Sequence, residues 1–113
     1  MTSSSTHLSD VIKARQAHDQ SVAHMVAILR AYGVPRASLF GSFARGDQGP
    51  ESDVDLVIEP PPGTTLFSLA RLGDALETAV GRRVDLITFN ALEQSASSRL
   101  RQRIQHDMEA LPL

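Results

Sequence analysis

Two aspartates one residue apart, Asp53 and Asp55, follow a Gly41-Ser42 pair after a spacer of ten residues. Apolar segments flank both pairs, Ala37 to Phe40 before the glycine and Val54 to Ile58 around and after the aspartates, so the aspartates open a strand. Positions i and i+2 of a strand leave the same face, which sets the two carboxylates side by side. Like charges so placed are unfavourable unless a cation lies between them. Hard oxygen ligands of this kind favour Mg²⁺, which keeps several waters and takes one or two carboxylates plus phosphate oxygens. The Gly-Ser pair supplies the complementary half. Gly41 can adopt backbone angles closed to other residues and so lets the main chain approach an anion. Ser42 stands where a helix would begin, with free N–H groups and a hydroxyl pointing at one place, which suits a phosphate. The stretch from Ser38 to Pro60 is therefore fitted for phosphoryl chemistry.

The elements that must hold these groups can be read on either side. Ser9 or Asp10 can cap a helix, and Val11, Ala14, His18, Val22, Met25, Val26 and Leu29 recur at helical spacing until Tyr32-Gly33, giving a helix over about 9–32 with residues 1–8 frayed. A short strand over 37–40 leads into Gly41, a helical turn covers 42–45, and 46–52 is a loop of turn residues. In the next strand Val54, Leu56 and Ile58 form the buried face, and Pro60-Pro61-Pro62-Gly63 ends it in a stiff connection. Leu66, Leu69, Leu72, Leu76 and Val80 make one stripe of a helix over about 65–80 that Gly81 stops. Residues 83–89, RVDLITF, have the β-branched content of a strand. A last helix over about 91–108 buries Leu92, Leu100, Ile104 and Met108 and turns Arg99, Arg101 and Arg103 outwards or sideways. The order predicts an α/β (α+β) two-layer sandwich with a small mixed three-stranded sheet. Its first two strands are antiparallel, and the third returns through a helix to lie parallel to the second.

With 113 residues the chain fits one domain, 1–113. A net charge of −2 gives no general electrostatic reason to bind nucleic acid directly. The absence of cysteine excludes disulfides and thiolate metal sites. No apolar run approaches the ~18 residues of a membrane span, and the Ser/Thr-rich start lacks the apolar centre of a signal peptide, so a cytoplasmic protein is expected. His7, His18, His24 and His106 are scattered without ligand spacing and read as structural or surface residues.

Gly41-Ser42, ten residues, then Asp53-Val54-Asp55 resembles the GS-x10-D-x-D signature of the polymerase-β-like nucleotidyltransferase superfamily, in particular its small, minimal nucleotidyltransferase branch. The resemblance covers roughly residues 20–108 and implies the three-stranded nucleotidyltransferase fold. It also raises the standing of Asp85. Alone, Asp85 would read as an ordinary strand or ion-pair aspartate. If its strand lies beside the one that Asp53 and Asp55 open, all three carboxylates share a sheet face.

The resemblance implies a metal site for two Mg²⁺ ions that organise attack on the α-phosphate of ATP. Asp53 and Asp55 would bind the metals, and Asp85 would bind the catalytic metal and help deprotonate the attacking hydroxyl. Gly41 and Ser42 would hold the β- and γ-phosphates. Arg45, otherwise a solvated loop arginine, would add positive charge there. Small members of this branch act as antitoxins of a HEPN-class α-helical ribonuclease, in a hetero-oligomer, by transferring AMP to a tyrosine of the toxin. On that reading the loop 46–52 and the triple-proline segment rim an open active face that a partner closes. Two alternatives stay open: a non-catalytic module that blocks its partner sterically, and a transferase for a small acceptor of the aminoglycoside type completed by a second chain.

Overall fold

The computed structural model describes residues 2–45, 53–95 and 97–113. A long helix α1 (Thr2–Ala31) is followed by β1 (Arg36–Phe40), a single helical turn α2 (Gly41–Arg45), β2 (Val54–Glu59), α3 (Leu66–Val80) and β3 (Val84–Thr88). The chain closes with α4 (Phe89–Ser95), α5 (Ser98–Asp107) and a two-residue strand β4 (Glu109–Ala110). The expected loop over 46–52 lies outside the described residues.

Local chemistry explains where the elements stop. Gly33, at φ +76°, ends α1: its N–H donates to the Arg30 carbonyl and that of Val34 to the Leu29 carbonyl, both at 3.0 Å. That is the paired bonding of a left-handed glycine cap, with Val34 and Leu29 buried in the same cluster. Helix α3 starts at Thr65, whose hydroxyl accepts from the Ser68 N–H at 3.1 Å, and ends at Gly81, which donates to the Glu77 carbonyl at 2.8 Å.

The sheet is mixed, in the order β3-β2-β1-β4, with β1 antiparallel to β2 and β4, and β2 parallel to β3. It therefore has four strands, where three were expected. The fourth forms because the chain turns back after α5, pairs Glu109 and Ala110 with Leu39 and Ser38, and buries Leu111, whose N–H donates to the Ala37 carbonyl at 2.9 Å. The single last helix expected over 91–108 is two helices, broken at the serine-rich stretch around 95–98.

One sheet face carries Ala37, Leu39, Val54, Leu56, Ile58 and Val84 and packs on Met25 and Leu29 of α1 and Leu72 and Leu76 of α3. On the opposite face α4 lies against β2 and α5 against β1, and Ser38, its register partner Val57, and Leu92 are buried. Three positions of the expected helical stripes are exposed: Leu66, at the start of α3, is 86% exposed, and Val11 and Ala14 stand in the open half of α1. Among the described residues, no helix is long and apolar enough to cross a membrane.

Candidate active site

The start of β3 is fixed from two sides. The Val54 N–H donates to the Arg83 carbonyl at 2.8 Å, and the Glu77 side chain of α3 accepts from the Val84 N–H at 3.0 Å. The parallel register that follows puts Asp55 opposite Asp85, while the antiparallel one puts Asp55 opposite Phe40, the residue before Gly41. Neighbouring strands lie about 4.8 Å apart, so Phe40, Asp55 and Asp85 form one row across the three strands. Asp53 precedes β2 and is half-buried, as is Asp55.

Burial raises the pKa of the Asp55 carboxyl above its ordinary value of 3.8, with further upward pushes from the Asp85 charge and then the Asp53 charge. Asp85 and Asp53 thus both bear on Asp55. Asp85 also has a cationic neighbour: its Oδ1 lies 3.4 Å from Nε of Arg83, in an exposed pair that holds it only weakly. Among the described residues no three acidic or histidine side chains close around a single point as they stand. The donor set nonetheless suits a hard divalent cation, whose charge would offset what makes Asp55 reluctant to ionise.

Gly41 completes the row. It has φ +74°, and a Cβ built on it would sit 2.6 Å from Oδ2 of Asp55. The glycine therefore makes room for a carboxylate of the chain itself, a reason the sequence did not disclose. Ser42 and Arg45 belong to α2, directly after Gly41; their side chains are outside the described part of the structure.

One other expectation is corrected. The triple-proline segment is not at the rim of this site, because Asp53 lies before β2 and Pro60 after it, roughly 20 Å apart at the rise of a strand. Pro61 and Pro62 instead line a separate cavity of about 390 Å³ with Tyr32, Val34 and Leu72. Arg101 turns sideways: its guanidinium donates to the Glu93 carbonyl at 3.1 Å and to the Ser98 hydroxyl at 3.3 Å, tying α5 to α4.

Sequence reasoning missed the group behind Gly41. Phe43 is fully buried, His18 of α1 stacks on its ring with centroids 4.8 Å apart, and the Arg82 guanidinium lies 5.7 Å from the ring centroid. The trace of it in the sequence is that His18 falls in the apolar stripe of α1.

Known proteins resemble this chain over most of its length. The nucleotidyltransferase domain family matches residues 25–110. A Methanocaldococcus jannaschii protein provisionally named a protein adenylyltransferase is 40% identical over 76 residues, 67% of this chain and 82% of the relative. The protein adenylyltransferase MntA of Thermococcus cleftensis is 32% identical over 71 residues, 63% of this chain and 72% of the relative. Among solved structures, one provisionally described as a minimal nucleotidyltransferase has TM-score 0.62 and 33% identity over 91% of this chain and 95% of its own. A toxin-antitoxin structure with AMP-PNP has TM-score 0.65 and 25% identity over 80% of this chain and 72% of its own. A complex of a tri-AMPylated Shewanella oneidensis HEPN toxin with its MNT antitoxin has TM-score 0.61 over 84% of this chain and 71% of its own. At 21% identity, that last likeness is one of fold.

Proposed function

Because the chain belongs to the nucleotidyltransferase domain family, we propose that it transfers AMP from ATP to a tyrosine of a protein partner, an α-helical toxin of the HEPN class that it thereby neutralises. The observation that carries the reading is the row made by Gly41, Asp55 and Asp85, with Asp53 beside it, at the family's own motif spacing. Relatives that bear the name protein adenylyltransferase, and toxin-antitoxin complexes of the same fold, support the substrate class and the kind of partner.

In this reading the tyrosine oxygen forms a bond to the α-phosphorus of ATP while the bond from that phosphorus to the oxygen bridging to the β-phosphate breaks, and pyrophosphate leaves. Asp53, Asp55 and Asp85 would hold Mg²⁺, two ions by resemblance to the superfamily. Bound there, the ions supply neutralisation of the phosphate charge. Asp85, half-exposed at the edge of the row, would accept the tyrosine proton. Gly41 and Ser42 fix the β- and γ-phosphates by their main chain and hydroxyl, and Arg45 adds a positive charge. Chemistry of this sort depends on positioning and on charge, so a small domain suffices once a partner orients the acceptor.

The test is to mix the chain with the helical protein encoded beside it, ATP and Mg²⁺, and to weigh that protein by mass spectrometry. A gain of one or more AMP units on tyrosine, lost with Asp53→Ala, is the expected result. Stable association with no mass change would establish a steric antitoxin in its place.

A further inference from the structure

The family's match begins at Met25, which leaves the first three-quarters of α1 outside it, yet one residue of that stretch, His18, packs on Phe43 just after Gly41. His18 lies flat on Phe43, with 25° between the ring planes, and its side chain is 15% exposed. Its Nε2 is buried with no hydrogen-bond partner among the described residues, and its Nδ1 is 3.4 Å from the carboxylate of adjacent Asp19. An unpartnered buried ring nitrogen costs stability. Toward Phe43 the ring supplies a flat face. That face bears on the residue two places after Gly41, in a turn that packs on both β1 and β2.

We propose that His18 is a positioning residue for the nucleotide: stacked on Phe43, it fixes α2 against the sheet and so keeps the Gly41 main chain seated at the Asp55 carboxyl. The residue touches neither nucleotide nor acceptor. Its effect passes through one ring to the turn, so the segment of α1 that precedes the family match takes part in nucleotide binding. What the turn binds rests on the function proposed above; that His18 holds the turn does not.

The experiment compares His18→Ala and His18→Phe with the parent by two readouts. One is amide hydrogen exchange at Phe43 and Ala44 without nucleotide, with Leu76 and Leu86 as internal references. The other is KM for ATP and kcat for AMP transfer to the partner. Loss of one aromatic stack is expected to speed exchange in the turn, and to raise KM for ATP, by about five- to tenfold. Exchange at the references and kcat should change less than about twofold, and His18→Phe should restore both quantities. Where His18→Ala does not fold, His18→Gln, which also lacks the ring, takes its place. Unchanged exchange in the turn, or a rise spread evenly over the chain, overturns the proposal. Since the exchange readout needs no nucleotide, a parent that fails to bind ATP refutes the proposed function, and the turn's exchange still decides the role of His18.

Discussion

Gly41 meets two demands that no other residue meets together: a left-handed backbone, and an empty space where Asp55 brings its carboxylate to 2.6 Å of the missing Cβ. Asp55 in turn is strained in the electrostatic sense, held by burial and by its neighbours Asp85 and Asp53 above the ordinary carboxylate range. A carboxyl whose pKa is raised on folding binds its proton more tightly in the folded chain than in the unfolded one. The metal-free protein therefore loses stability as pH rises from 3.8 through the raised value, and carries the whole penalty once the pH exceeds that value. Asp55→Asn removes that charge. It should raise the melting temperature of the protein in EDTA at pH 7, with the gain fading as pH falls from the raised value towards 3.8. Adding Mn²⁺ should raise the melting temperature of the parent and leave the variant where it was. A variant that melts below the parent in EDTA at pH 7 would contradict the crowding of like charges at Asp55.

Placement of the row depends on how α3 hands the chain to β3. The Glu77 carboxylate takes the Val84 N–H one residue before Asp85, so the helix end and the strand start are one joint. Glu77→Ala leaves that partly buried N–H without its partner. A cost of about 1–3 kcal/mol is expected from chemical denaturation, together with weaker Mn²⁺ binding by calorimetry, because Asp85 loses its fixed register. Wild-type metal affinity in a destabilised variant would show that Asp85 does not depend on the joint. The helices and strands on either side of this joint were legible because Gly33, Gly81 and the apolar alternation at Val54, Leu56 and Ile58 are strong local signals. β4 was not legible, since two residues carry no period and Glu109–Ala110 pair only because Leu111 finds the core. The break between α4 and α5 was masked by the apolar and basic residues on both sides of a short serine run. At the site, the spacing of Gly41, Asp53 and Asp55 was readable, and Asp85 followed from the strand order. The His18–Phe43 stack was not, because it joins residues on separate elements by packing alone.

Across the whole molecule, one dimension stands out. The chain extends over 56 × 33 × 22 Å with a radius of gyration of 15.4 Å, where a compact chain of this length would have roughly 13 Å. The excess belongs to α1, whose 30 residues make a rod about 45 Å long. The body holds its later half: Met25 and Leu29 are fully buried, and Val22 and Val26 pack beside them. His18 meets Phe43 just beyond the end of β1, so the earlier half runs on past the end of the sheet where the carboxylates lie, leaving Leu8, Val11 and Ile12 61%, 51% and 49% exposed. An apolar stripe left in water contributes little to the fold, whereas the stretch from His18 onward contributes a great deal. Deleting residues 2–14 while keeping His18 should therefore lower the radius of gyration measured by X-ray scattering by about 2 Å. The same deletion should move the melting temperature by no more than about 2 °C, since residues 8–14 are all exposed. ATP affinity should stay at the parent value, because His18, which stacks on Phe43, is retained. A fall of more than about 5 °C on deletion would mean that the projecting half packs on the body in solution, and that α1 is held along its whole length.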